Sequence, residues 1–226
     1  MTIPKYVLNG ERTGTCGKKK LPYVLSKQQL LHFLTFVKDI RFVMIIFIGC
    51  FQGLIIGEML RLQWENVDLK HGELKVVDAK NTKRYKSNYG KDRVVPINDM
   101  FIPVWQQWQA MNIKEKYVIP IESTKDRDDP TYWKSMARSF QKLFSNYLKE
   151  AGLLIVDYYQ ENGTPRYKYH LHTLRHVCGT NLLRAGLAID YVQDFLGHED
   201  IETTKIYSQL TKDDLKEASH LAYAYP

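Results

Sequence analysis

The last third of the chain holds four polar residues whose types and spacing suit chemistry at a phosphate. His172 and Arg175 stand three residues apart, His198 follows a Leu-Gly pair, and Tyr207 comes nine residues after His198. An arginine can hold two phosphate oxygens at once and keeps its charge, and a histidine can donate to a phosphate or carry a proton. A tyrosine, with an ordinary pKa of ~10, can attack phosphorus when nearby positive charge or a base activates it.

Each of these residues also has a simpler interpretation when it is taken alone. Tyr207 is one of 15 tyrosines, and a single His-x-x-Arg pair is a weak signal. His172, His176 and Cys178 offer an i, i+4 pair that could suggest zinc, but no second clustered ligand pair follows, so we expect no metal. The significance of the set depends on its order and spacing.

The distribution of charge separates two regions of this basic chain, whose net charge is +7. Residues 70–93 contain eight basic residues against three acidic ones, and residues 190–217 contain eight acidic residues against three basic ones. The basic balance suggests an anionic partner without choosing among nucleic acid, a membrane and an acidic protein, and the first region is the one that could face phosphates. If the partner is DNA, the residues predicted to bind it are Lys83, Arg84, Lys86, Lys91 and Arg93.

The elements that must position these residues are mainly helical. Ser26 is a predicted N-cap for a helix over 27–38, with Leu30, Leu31, Leu34 and Val37 on its apolar face. Further helices are predicted over 40–52, from about 57, and over 99–111, 131–151, 173–185, 189–196, 202–208 and 213–222. Three short strands between 66 and 98, around a basic hairpin tip, and a second hairpin within 153–169 complete the set. The predicted class is mostly α with a small antiparallel β-sheet, that is, α+β.

Composition narrows the setting of the chain. Residues 1–22 are polar and basic and are predicted to be a flexible arm or linker, either a solvated tail or a DNA-binding arm. Three widely spaced cysteines favour reduced thiols and a cytoplasmic location, and no secretory signal is visible. The longest apolar run, 42–51, is too short for a membrane span, which needs ~20 residues.

Three motifs in order, H-x-L-R-H, L-G-H and T-T-x-x-Y, resemble those of the tyrosine recombinase (phage integrase) family. The resemblance covers residues 23–226 and implies that family's catalytic-domain fold, without the N-terminal core-binding domain of many relatives. It implies Tyr207 as the nucleophile, with Arg175, His172 and His198 around the phosphate. It also implies Lys80, in the basic hairpin, as the general acid for the 5′-hydroxyl, and no metal or other cofactor.

One position departs from the family's pattern. The stretch that matches the motif G-L-R-x-x-E begins at Gly53 and ends at Glu58, and it carries Ile55 in place of the first catalytic arginine. Arg61, six residues on, is turned ~600° around a helix and is not expected to substitute. Loss of one preorganised donor typically costs ~10²–10³ in rate.

Two principal functions follow from the resemblance. The first is a site-specific recombinase that cleaves and rejoins double-stranded DNA through a 3′-phosphotyrosyl intermediate, impaired by Ile55. The second is a DNA-binding architectural or regulatory protein with the same fold and little cleavage, which Ile55 favours. A related enzyme that relaxes or resolves DNA without exchanging partners is a third. Self-association on DNA, through the C-terminal residues 211–226, is a further expectation.

Overall fold

The structure, a computed structural model, describes residues 23–77, 92–121, 129–198 and Thr204. Its α-helices are α1 (Lys27–Leu34), α2 (Ile40–Phe51), α3 (Ile56–Met59), α4 (Ile102–Met111), α5 (Pro130–Glu150), α6 (His172–Arg184) and α7 (Ile189–Leu196). Short 3₁₀ helices cover Trp64–Asn66 and Asp99–Phe101. Its strands are β1 (Val67–Asp68), β2 (Glu73–Val76), β3 (Arg93–Pro96), β4 (Val156–Tyr159) and β5 (Pro165–Tyr167).

The predicted class, mostly α with small antiparallel sheets, is confirmed. Strands β1, β2 and β3 form one antiparallel sheet in that order, and β4 pairs with β5 in a separate hairpin. The predicted helix over 202–208, apart from Thr204, the predicted helix over 213–222 and the arm at 1–22 lie outside the described residues. No helix in the described part of the chain has the length and apolar character that crossing a membrane requires.

Helix α2 packs closely against helix α6, which brings the loop after α2 next to Arg175. Gly49 permits the contact, because a Cβ atom there would lie 2.7 Å from Cβ of Leu174. The neighbouring turn of α6 then brings Arg175 to the loop at Gly53, just beyond the end of α2. The spacing of these residues along two helices therefore fixes one wall of the site.

The register of β2 and β3 sets which side chains of the third strand face inward. Val76 pairs with Arg93 and Leu74 pairs with Val95, and all four side chains are buried. Side chains alternate between the two faces of a strand, so Arg93 and Val95 share the inner face. The loop between the two strands, residues 78–91, lies outside the described residues.

Local capping confirms one helix start and corrects the extent of two helices. The Ser26 hydroxyl accepts from the Gln29 N–H, and the Ser26 N–H donates to the Gln29 side chain, which is a capping box. Helix α1 ends at Leu34, not at residue 38, and Phe33 is its buried side chain while Leu31 is exposed. Helix α3 has only four residues.

Candidate active site

Arg175 is the buried centre of the site. Its side chain is 5% exposed, and its two terminal nitrogens donate to the carbonyl oxygens of Gly53, at 2.8 Å, and of Leu196. Nη1 also lies 3.9 Å from Oε2 of Glu58. These contacts join α6 to the ends of α2 and α7, so the guanidinium is held in one place before any ligand binds.

His198 is held on both sides by short-range hydrogen bonds. Gly197 closes α7 in the left-handed conformation, with φ of 71°, and turns the chain so that His198 leaves the helix axis. The His198 N–H donates to the Gln193 carbonyl, and the Gln193 amide donates back to the His198 carbonyl at 3.0 Å. Nδ1 lies 2.8 Å from Oγ1 of the buried Thr204. The other ring nitrogen, Nε2, is thereby oriented away from Thr204.

The histidines of the site lie close enough to affect one another's pKa values, and all three are uncharged at neutral pH. Burial, followed by the charge of Arg175, lowers the pKa of His172 to about 4. Burial, with the charges of Arg175, His172 and Arg93, lowers the pKa of His198 to about 3. Burial, with the neighbouring histidines, lowers the pKa of His176 to about 2. Neutral rings can each donate one hydrogen bond to a phosphate and accept a proton.

The three histidines of the site, of which His198 is buried and His172 and His176 are partly buried, predict a loss of stability in mild acid. A histidine with a folded pKa below its ordinary value of 6.5 stabilises the fold above pH 6.5, and that contribution is lost as pH falls toward the folded pKa. Between pH 7 and pH 5, each of His172, His176 and His198 is expected to cost about 1–2 kcal/mol of unfolding free energy. Urea unfolding of this chain at the two pH values measures the sum.

Two variants test whether the histidines of the site cause this dependence of stability on pH. His176→Asn should flatten the dependence on pH, because it removes one titrating ring. His71→Gln should not flatten it, since His71 is exposed and its hydrogen bond to Asp68 raises the pKa instead. A slope that is unchanged in His176→Asn would contradict a buried neutral ring at that position.

Ile55 contributes no charged donor to the site. It is half-buried at the start of α3, where its backbone N–H donates to Oε2 of Glu58 at 2.9 Å. The guanidinium of Arg61 lies over the Trp133 ring of α5, 5.0 Å from the ring centroid. The expectation that Arg61 does not replace the missing arginine agrees with this placement.

Arg93 requires a correction, because its side chain is buried and does not face outward to DNA. Its Nη1 and Nη2 atoms donate to the two carboxylate oxygens of Glu58, at 2.8 and 3.0 Å, and Nε donates to the Phe195 carbonyl. A Cβ atom on Gly197 would come within 2.8 Å of Cδ of Arg93. The strand register, which turns Arg93 toward the core, is the physical reason.

The remaining predicted residues lie outside the described part of the chain. These are Tyr207, Lys80, Lys83, Arg84, Lys86 and Lys91. Thr204, which contacts His198, stands three residues before Tyr207 in the sequence. The structure therefore brings together Arg175, His172, His198 and the Ile55 backbone, and it leaves the nucleophile and the hairpin lysines as predictions.

Two further histidines, His170 and His176, belong to this cluster, although neither was predicted as a residue of the phosphate site. The His170 ring lies 6.3 Å from the His172 ring and 6.3 Å from the His176 ring, measured between centroids, and the His172 and His176 rings are 4.8 Å apart. Their repetition in H-L-H-T-L-R-H was the available signal. Across residues 23–77, 92–121 and 129–198 with Thr204, no group of three or more His, Cys, Asp or Glu side chains has an arrangement suited to a metal ion.

Comparison with known proteins identifies relatives over nearly the whole chain. A model of the phage integrase family matches residues 24–214. Tyrosine recombinase XerA of Thermococcus kodakarensis is 27% identical over 208 residues, which cover 90% of this chain and 64% of that protein. XerA of Pyrococcus horikoshii is 27% identical over 200 residues, covering 88% of this chain and 61% of that protein. The chain thus spans somewhat less than two thirds of each of these relatives.

Solved structures share the fold at lower identity. The crystal structure of XerA recombinase superposes with a TM-score of 0.64 at 20% identity, covering 92% of this chain and 68% of that one. The XerH site-specific recombinase, bound to palindromic difH substrate in a post-cleavage complex, gives a TM-score of 0.59 at 21% identity and covers 89% of this chain and 53% of that one. At these identities the likeness establishes the fold.

Proposed function

Since the chain belongs to the phage integrase family, we propose that it is a site-specific DNA recombinase that works through a 3′-phosphotyrosyl intermediate on Tyr207. The observation that carries the proposal is the preorganised group of Arg175, His172 and His198. These residues share one buried cluster, and Thr204 ties it to the segment that carries Tyr207. A charged guanidinium that shares a site with two neutral imidazoles suits a phosphodiester in which negative charge develops.

The proposed reaction exchanges one phosphodiester for another. The Tyr207 oxygen forms a bond to phosphorus as its proton passes to a neutral imidazole, His172 or His198, or to water, and the bond from phosphorus to the 5′-oxygen breaks. Lys80 gives a proton to the leaving 5′-oxygen, and Arg175 stabilises the charge on the non-bridging oxygens. Rejoining is the reverse, with a 5′-hydroxyl attacking the phosphotyrosine. No redox change occurs, and the chain's own cationic groups supply the charge stabilisation.

Double-stranded DNA is the proposed partner, and the hairpin between β2 and β3 is the proposed contact. Its four lysine and arginine side chains, Lys83, Arg84, Lys86 and Lys91, would supply phosphate contacts. Arg93 is removed from this set because it is buried. Phosphate contacts of this kind make affinity fall steeply with salt.

Alanine at those four hairpin positions is expected to weaken duplex binding and to reduce its salt dependence. Each lost phosphate contact lowers the slope of log affinity against log salt by about 0.9, so four contacts would lower it by about 3–4. The matched control replaces four exposed basic residues of α5, Lys134, Arg138, Lys142 and Lys149, with alanine. Equal affinity losses and equal slopes for the two variants, measured by fluorescence anisotropy, would contradict a DNA-facing hairpin.

Assembly on DNA and cytoplasmic location complete the proposal. Residues 211–226 carry Leu215, Ala218 and Leu221 along one side of a predicted helix, and such a face can dock on a neighbouring protomer or pack on its own. Deletion of 211–226 should remove higher-order complexes from a gel-shift ladder and spare the first complex if docking on a neighbour occurs. The organisation into an arm at 1–22 and a catalytic domain at 23–226 belongs to the same proposal.

A second candidate function has one observation in its favour. Ile55 places an apolar side chain where the family pattern has an arginine, which suits a DNA-binding protein with little cleavage. The two functions differ in one product, a covalent complex of protein and DNA. In the test, this chain is incubated with a pool of nicked DNA duplexes of randomised sequence. Cleavage near the nick releases a short strand that diffuses away, so the cut strand cannot be rejoined. Adducts that survive denaturation are recovered and sequenced, and enrichment of one sequence supports the recombinase.

One result of the same adduct experiment would exclude the recombinase function. If neither this chain nor Ile55→Arg leaves any adduct, while both bind duplex DNA and remain folded, the architectural function replaces the recombinase. Adducts without sequence enrichment would favour an enzyme that relaxes DNA without choosing a site.

A further inference from the structure

The ion pair of Arg93 and Glu58 is a deeply buried charge pair beside the active site, and the proposed reaction does not use it. Their side chains are 6% and 7% exposed, and two parallel hydrogen bonds join them. A buried pair of this kind brings little net stability, because removing both charges from water costs about as much as their attraction returns. Its position next to Arg175 offers a reason for its presence.

Glu58 faces two guanidinium groups and accepts hydrogen bonds from only one of them, that of Arg93. Both of its carboxylate oxygens accept from Arg93, and Oε2 also accepts from the Ile55 N–H. Arg175 lies 3.9 Å from Oε2, beyond hydrogen-bond distance, and its Nη1 donates to Gly53 instead. The carboxylate is thus hydrogen-bonded to Arg93 of β3, while Arg175 keeps only the longer ion-pair contact.

The consequence of losing Arg93 follows from Coulomb attraction. Glu58 would remain a buried carboxylate, and Arg175 would be the guanidinium left beside it. The attraction between these two opposite charges is strong because little water reaches the site. A closed pair would cancel the charge that a phosphate needs. This chain is sensitive to such a loss, because Ile55 supplies no second guanidinium.

From these contacts the geometry points to Arg93 as a positioning residue: by hydrogen-bonding both oxygens of Glu58, it holds the ion pair between Glu58 and Arg175 at 3.9 Å instead of a close contact, and so leaves more of the charge of Arg175 for the scissile phosphate. The inference rests on the proposed function and adds to it a residue that does not touch DNA. Arg93 also holds the Phe195 carbonyl and packs beneath Gly197, so the same side chain supports the turn that carries His198.

The test compares single-turnover adduct rates of Arg93→Gln, Glu58→Gln and the double variant, each in this chain and in the Ile55→Arg background. Arg93→Gln is expected to lower the rate about 10²-fold, comparable to removing one charged donor. Adding Glu58→Gln should restore at least about tenfold, because the captured charge is released. Arg93→Lys should keep more activity than Arg93→Gln, since an ammonium still holds the carboxylate.

Dependence on pH separates this role from simple support of the fold. The charged or titratable groups around Glu58 are Arg93 from β3, Arg175 and His172 from α6, with His198 near both arginines. In Arg93→Gln, burial favours protonation of Glu58, so its rate relative to this chain should rise as pH is lowered from about 8 to about 6. Stability falls over that range, because the buried histidines favour the unfolded state in acid. A structural role would make the rate follow stability downward.

Arg41→Gln is the matched control, because it also removes an arginine that holds a carboxylate, Asp39, with two side-chain hydrogen bonds, at the end of α2 away from Gly53. It should leave the rate within about twofold. If Ile55→Arg gives adduct but Glu58→Gln restores nothing to Arg93→Gln, the inference is wrong and the proposed function stands. If Ile55→Arg gives no adduct while folded and bound to DNA, the proposed function fails, and the inference with it.

Discussion

Replacing Ile55 by arginine is expected to raise the rate of covalent adduct formation by about 10²–10³. The guanidinium would add a second charged donor to a site in which the buried Arg175 acts electrostatically on both His172 and His198. Charge on the phosphate is greatest in the transition state, so the gain should appear in the rate more than in binding. Single-turnover kinetics at saturating DNA measure it.

The structure indicates that position 55 tolerates the change. Ile55 caps α3 through its backbone, with its N–H on Glu58 and its carbonyl accepting from Met59, and its side chain is half-buried. An arginine there keeps these backbone bonds and can extend toward solvent or a bound phosphate. Ile55→Met is the control for side-chain length without charge, and it should not raise the rate. An equal gain from Ile55→Met, or no gain from Ile55→Arg, would show that another group already supplies the charge.

Tyr207→Phe is expected to abolish adduct formation at every pH and time, the largest effect that any single change in this chain should have. Phenylalanine lacks only the hydroxyl, so there is no oxygen to bond to phosphorus. Duplex affinity should stay within about twofold, because phosphate contacts by basic side chains dominate binding. Filter binding and denaturing gels on the same samples measure the two quantities.

Tyr191→Phe is the matched control for that change. Tyr191 lies on α7, seven residues before His198, and its side chain is exposed. It should form adduct at the rate of the parent chain. Loss of adduct in Tyr191→Phe with adduct retained in Tyr207→Phe would reassign the nucleophile.

The sequence was sufficient for the class of fold and for the residues whose motifs are contiguous. The pairs within H-x-L-R-H and L-G-H are local, so a single helix or turn carries each one into place. Ser26 as an N-cap and the start of α2 near residue 40 were predictable for the same reason. Chemistry that depends on neighbours in sequence can be read from the sequence.

The placement of Arg93 was missed although a signal existed. Charge counting assigned it to the basic hairpin, but in β3 it shares a face with Val95, and alternation along a strand predicts that both point inward. Its partner Glu58 stands 35 residues earlier, on a different element. The ion pair depends on how the sheet docks on α3 and α7, which no local pattern specifies.

The lengths of α1 and α3 also could not be predicted from the local sequence pattern. The apolar residues Leu30, Leu31 and Leu34 suggested one helical face, yet Phe33 is the fully buried residue and Leu31 is exposed. Phe33 packs edge-on against Phe144 of α5, at 5.2 Å between ring centroids. A large aromatic residue with a tertiary partner outweighs smaller apolar residues in choosing the buried face.

Mapping the covalent bond between protein and DNA decides whether Tyr207 is the nucleophile. Adduct captured with this chain, or with Ile55→Arg for higher yield, is treated with nuclease and trypsin, and the peptide of residues 206–212 is examined by mass spectrometry. That peptide contains Tyr207 as its one tyrosine. A 3′-linked nucleotide on Tyr207 is expected, and no such peptide is expected from Tyr207→Phe. A nucleotide on any other residue, or an adduct that persists in Tyr207→Phe, would contradict it.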